Sequence, residues 1–148
     1  MNTFLKRIET MNAMYKLPMH GLPMLPVDVP SRLAKFKKTL CDEVDEIDDI
    51  IALAKLEDVT DLVVATAIAD LLADVVVYCA SEALKYGLPL LDTLHIVMDS
   101  NESKLGADGK PIYNAEGKFL KGPNYYKPEP AIEKRLKSGV GIRKGGWE

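Results

Sequence analysis

Carboxylates at helical spacing are the residues of this chain best suited to chemistry. Two groups stand out: Asp42-Glu43-Val44-Asp45-Glu46, and the pair Asp70 and Asp74. Asp70 and Asp74 are the only charged residues between Leu62 and Ala80, and their i,i+4 spacing places both on one helical face. In the first group, Leu33, Phe36, Leu40, Val44, Ile47 and Ile51 form an apolar stripe. Glu43 falls about 60° from the centre of that stripe and Glu46 about 120°, at its border, with Asp42 on the same side as Glu46. Each acidic run alone reads equally as a solvated helix face. Together, on sequential helices joined by a short loop, they point to a shared pocket. Two carboxylates at 4 Å repel by about 4 kcal/mol at an effective dielectric near 20. A divalent cation converts that repulsion into binding. An all-oxygen ligand set without His or Cys selects Mg2+ or Mn2+ over Zn2+. Ions held this way grip a polyphosphate and activate a water for in-line attack.

Cations that suit phosphate lie further along. Asn101 and Lys104, spaced i,i+3, follow a helix, and Lys121-Gly122-Pro123 puts a lysine on a stiff loop. An ordinary helix C-terminus and an ordinary surface turn explain the same residues. His95, in Asp92-Thr93-Leu94-His95, is a single acid-x-x-His motif where a di-iron bundle needs two, so it reads as structural. The chain holds no phosphate-binding glycine loop, no nucleophile elbow and no zinc signature.

The elements that must position these residues are helical. Phe4, Ile8, Met11 and Tyr15 mark a first helix over 2–16. Pro18, Pro23, Pro26 and Pro30 make 17–30 an extended connector. Ser31 is the expected N-cap of a second helix that runs to about Leu56, its stripe facing inward. A third helix, from about Val59 to Tyr86, is apolar on most faces and reads as buried, with Gly87 as its stop. Pro89 opens a fourth, ending near Ser100, with Leu91, Leu94, Val97 and Met98 turned inward. Pro111-Ile112-Tyr113 and Lys118-Phe119-Leu120 are expected to form a small hairpin, and 129–136 a last short helix. The fold class is all-α: an antiparallel helical bundle with a loop-rich C-terminal arm. One domain is expected over residues 1–138, followed by a mobile tail over 139–148 that holds four glycines.

Composition narrows the function classes. The formal net charge of −3 argues against a nucleic-acid or membrane-surface partner. Asp70 and Asp74 interrupt the most apolar stretch, which argues against a membrane span. Residues 1–7 lack the apolar core of a signal peptide. Cys41 and Cys79 read as buried free thiols, which suits the cytoplasm.

At these motifs the chain resembles the all-alpha nucleotide pyrophosphohydrolases of the MazG-like superfamily. That family carries a Glu-Glu-x-x-Glu helix followed by a helix with Glu-x-x-Asp. Asp42-Glu43-Val44-Asp45-Glu46 is similar to the first motif, with Asp for the first Glu. Asp74 matches the final Asp of the second. Leu71 stands where the family often has Glu, and Asp70, four residues before Asp74, is the substitute this resemblance suggests. Ser100-Asn101-Glu102-Ser103-Lys104-Leu105 and Lys118 to Tyr125 resemble the C-terminal arm of a phosphoribosyl-ATP pyrophosphohydrolase-like branch, so the likeness covers roughly residues 31–130. It implies Mg2+ (or Mn2+) held by Glu43, Glu46, Asp70 and Asp74, with Asp42 a further candidate. It implies phosphate contacts from Asn101, Lys104 and Lys121, and cleavage of a nucleoside triphosphate, a deoxynucleotide above all, into monophosphate and pyrophosphate. It also implies a homodimer or homotetramer. Phosphoribosyl-ATP hydrolysis and a non-catalytic nucleotide-sensing bundle are the alternative expectations.

Overall fold

The computed structural model describes residues 3–138, so the tail expected to be mobile lies outside the described residues. The elements run α1 (Thr3–Met14), α2 (Val29–Ala54), α3 (Asp61–Lys85), α4 (Leu90–Glu102), β1 (Ile112–Tyr113), β2 (Phe119–Leu120) and α5 (Glu129–Lys137). The fold is all-α, with one two-residue hairpin beside the helices among the described residues. The chain divides into two compact units, Met1–Gly87 and Leu88–Glu148.

In the first unit, α3 is the element on which α1 and α2 both pack. Ile8, Leu71, Ala80, Ala83 and Tyr86 form its buried apolar core. A polar lock joins α1 to α3. Asn12 is fully buried, donates from Nδ2 to the Ser81 carbonyl at 3.2 Å and accepts from the Ser81 hydroxyl at 2.7 Å. The proline-rich connector is pinned to the end of α3 by backbone bonds from His20 to Leu84 and from Met24 to Tyr86. Gly87 ends the helix at φ +63, where any Cβ would strike the Leu22 carbonyl. The N-cap of α2 is Asp28 rather than Ser31: its carboxylate accepts from the Ser31 N–H at 3.0 Å, and Pro30 occupies the first turn.

Several expected inward faces are exposed. On α2, Leu33, Val44, Ile47 and Ile51 face outward, and the buried residue is Glu43. The reason is competition between faces: α2 turns its Glu43 side to α3, which leaves most of the apolar stripe outside, with Phe36 and Leu40 half-buried. Helix α3 is likewise buried only around Leu71 and from Ala80 to Ala83, while Leu62, Ile68, Leu72 and Val76 are exposed. By length and composition α3 could cross a membrane. Cys41, expected to be buried, is exposed and Cys79 is half-buried; both are free thiols.

In the second unit, α4 and α5 pack together and are tied by Arg135 to Asp92 at 2.7 Å. Leu91, Leu94 and Met98 are exposed, contrary to expectation, and Ser100 is the buried residue of α4. The α4 end is held by polar bonds instead, because the following loop folds back on it. The expected hairpin forms in antiparallel register, with Ile112 opposite Leu120 and the rings of Tyr113 and Phe119 4.8 Å apart. His95 is exposed rather than part of a core.

Candidate active site

The acids of α2 and α3 feel one another. Glu46 has its pKa raised, first by the charge of Glu43, then by burial, and then by the charges of Asp74, Asp49 and Asp70. That pattern fits the packing of α2 on α3, which brings the acidic segments of the two helices near each other. Glu43 sits deepest. It is 8% exposed, and its Oε2 is a buried oxygen without a hydrogen-bond partner. A buried acceptor left in that state costs about 1–3 kcal/mol, more when charged, so it marks a place where something is expected to bind. Asp74 is half-buried, Asp70 and Glu46 are exposed, and Asp42 points away into an exposed ion pair with Lys38 at 3.0 Å.

Among the described residues, no three His, Cys, Asp or Glu side chains converge closely enough to make a metal cage. The donor set still fits a hard cation. Mg2+ commonly takes one or two protein carboxylates, retains waters and completes its shell with substrate phosphates. The partnerless Glu43 Oε2 and the repulsion around Glu46 are the features such a charge would relieve.

Tyr78, one turn beyond Asp74, was not singled out in the sequence. Burial raises its phenol pKa first, and the charge and hydrogen bonding of Glu43 raise it further. Asp74 and Tyr78 also line a cavity of about 490 Å³ between α1, α2 and α3, together with Tyr15, Lys35, Phe36 and Thr39. Its size is that of a small-molecule pocket. One end is braced by Glu82, which accepts two bonds from Arg32 at 3.0 and 2.9 Å, one from Lys85 at 3.1 Å and one from the Tyr86 hydroxyl at 3.0 Å. Burial alone would raise the Glu82 pKa, but these bonds outweigh it and hold the carboxyl below its ordinary value. The i,i+4 steps from Lys35 through Thr39 to Glu43, and from Asp70 through Asp74 to Tyr78, are the sequence signals that could have revealed this wall.

The expected phosphate contacts all lie in the second unit. Lys104 donates to Asn101 Oδ1 at 2.9 Å, and Lys121 stands 4.8 Å over the Tyr125 ring. Their two segments are joined: Gly122 N–H donates to the Lys104 carbonyl at 2.8 Å, and Ser100 Oγ donates to the Tyr126 carbonyl at 2.8 Å. A Cβ at position 122 would strike the Leu105 carbonyl, so glycine is required there.

The chain resembles a crystal structure described as a "putative NTP pyrophosphohydrolase" from Exiguobacterium sp. 255-15, at TM-score 0.53 and 19% identity, over 91% of this chain and 94% of that one. The two share a fold. No family model and no curated protein matches the chain.

Proposed function

We propose that this protein hydrolyses a nucleoside triphosphate between its α and β phosphates, releasing the monophosphate and pyrophosphate in a Mg2+-dependent reaction. The observation that carries this reading is the buried Glu43 carboxylate, whose Oε2 has no partner, amid repelling acids on two facing helices, with Asp74 of the same group lining a small-molecule-sized cavity. The fold shared with the Exiguobacterium protein supports it. Glu43, Glu46, Asp70 and Asp74 are the proposed metal ligands; Asp42, turned outward, is the weakest candidate. A cation held there would neutralise charge on the triphosphate and lower the pKa of water. The chain's own carboxylates orient the attacking water and accept its proton. Tyr78 steadies Glu43. Asn101, Lys104 and Lys121 are proposed to meet phosphate, each trading a present internal contact for it. Free thiols at Cys41 and Cys79 suit a reducing cytoplasm.

The partner proposed for the exposed stripe of α2 is a second copy of the chain. Leu40, Val44, Ile47 and Ile51 step by four, three and four residues, the seam that another helix fills. Every copy carries the same stripe, so isologous pairing buries both at once.

Glu43→Gln and Asp74→Asn test the assignment. Both should abolish Mg2+-dependent pyrophosphate release while far-ultraviolet circular dichroism stays native. Normal turnover by both variants rejects it.

A further inference from the structure

We infer that the cavity beside Asp74 holds the nucleobase, and that Lys35 and Thr39 select a base with a keto–imino edge: uracil, thymine or guanine. The inference rests on the pyrophosphohydrolase reading for the direction in which the nucleotide lies.

Position comes first. Lys35 and Thr39 lie on the same face of α2 as Glu43, at i,i+4 and i,i+8 spacing, and both line the cavity. Eight residues of helix span about 12 Å. That separation is comparable with the reach from an α-phosphate near Glu43 to the outer edge of a base. Phe36, Tyr15 and Tyr78 line the same cavity and supply aromatic surface for stacking.

Polarity comes second. Of the cavity's three cations, Arg32 and Lys85 are spent on Glu82. Lys35 makes no ion pair among the described residues, so its ammonium is available. An ammonium offers donors only. The Thr39 hydroxyl already donates its proton to the Lys35 carbonyl at 3.2 Å, which leaves its oxygen as an acceptor. At this stretch of the wall Lys35 therefore offers a donor and Thr39, one turn on, an acceptor. Uracil, thymine and guanine present the complement, a carbonyl oxygen beside a ring N–H. Cytosine and adenine present an amino group beside a ring nitrogen, so donor would face donor and acceptor would face acceptor.

The test uses the full chain with Mg2+ and dUTP, dTTP, dGTP, dCTP and dATP, reading kcat/KM for pyrophosphate release. The keto–imino substrates should lead by roughly tenfold or more, as expected for two matched hydrogen bonds. Lys35→Met should remove that lead, and Thr39→Val should reduce it. Equal turnover of all five substrates overturns the inference and leaves the pyrophosphohydrolase reading intact. So does a lead that survives in Lys35→Met, or a uniform loss across all substrates in that variant. If no substrate is turned over, the functional reading fails, and calorimetric binding of dUMP, dGMP, dCMP and dAMP decides the subsite. A preference for dUMP and dGMP that disappears in Lys35→Met supports it. Equal binding, or none, overturns it.

Discussion

Replacing Glu43 with leucine should make the metal-free protein more stable while destroying its response to Mg2+. Glu43 is 8% exposed, its Oε2 has no partner, and its charge is the largest influence raising Glu46. Leucine fills a similar volume and removes the orphaned acceptor and the repulsion, which together outweigh the lost hydrogen bond to the half-buried Tyr78. Relief of the unsatisfied group is worth about 1–3 kcal/mol, and for a chain of this length each kcal/mol moves Tm by roughly 2–4 °C. In the wild type, Mg2+ at a hundredfold over its Kd should add about 2.7 kcal/mol by linkage. In Glu43→Leu that increment should vanish. Thermal unfolding followed by circular dichroism, with chelator and then with Mg2+, reads both effects on one sample. A variant that melts lower than wild type in chelator, or that still gains the full Mg2+ increment, refutes the reasoning.

Three further outcomes follow from the same structure. Asn12→Ala removes both bonds of the α1–α3 lock and should cost about 1–3 kcal/mol, read as a lower urea midpoint with an unchanged slope. Glu82 has a folded pKa below its unfolded value, so its stabilisation is complete above the unfolded carboxylate range and is lost as pH falls through that lowered value. Glu82→Gln should therefore cost about 3 kcal/mol at neutral pH and flatten the acid limb of a stability–pH curve. Val44→Glu places a charge in the exposed stripe of α2 and should shift sedimentation from dimer or tetramer to monomer.

Much of this was legible in the sequence, and the gaps share one cause. Helix boundaries came through because prolines and glycines punctuate them: Gly87 stops α3, and Pro30 stands in the first turn of α2. The facing acids on α2 and α3 were legible because Asp70 and Asp74 have no charged neighbours on an apolar helix. What periodicity could not reveal is which face of an amphipathic helix packs within the chain. It marked the Leu33–Ile51 stripe as the inward face, whereas α2 buries Glu43 and leaves Leu33, Val44, Ile47 and Ile51 outside. Apolar periodicity reports burial somewhere, and a second copy of the chain satisfies it as well as an internal core does. The Asn12–Ser81 lock was missed for a related reason: polar residues 69 positions apart carry no periodic signal. Asp42 was drawn toward the site by its place in the motif, yet its i,i+4 partner Lys38 holds it on the solvent side.

The central claim is tested most directly by incubating the full chain with a nucleoside triphosphate and Mg2+ and separating the products. The account predicts monophosphate and pyrophosphate in equal amounts, with no release when Mg2+ is chelated. Diphosphate and inorganic phosphate, or product formation that survives chelation, would contradict it.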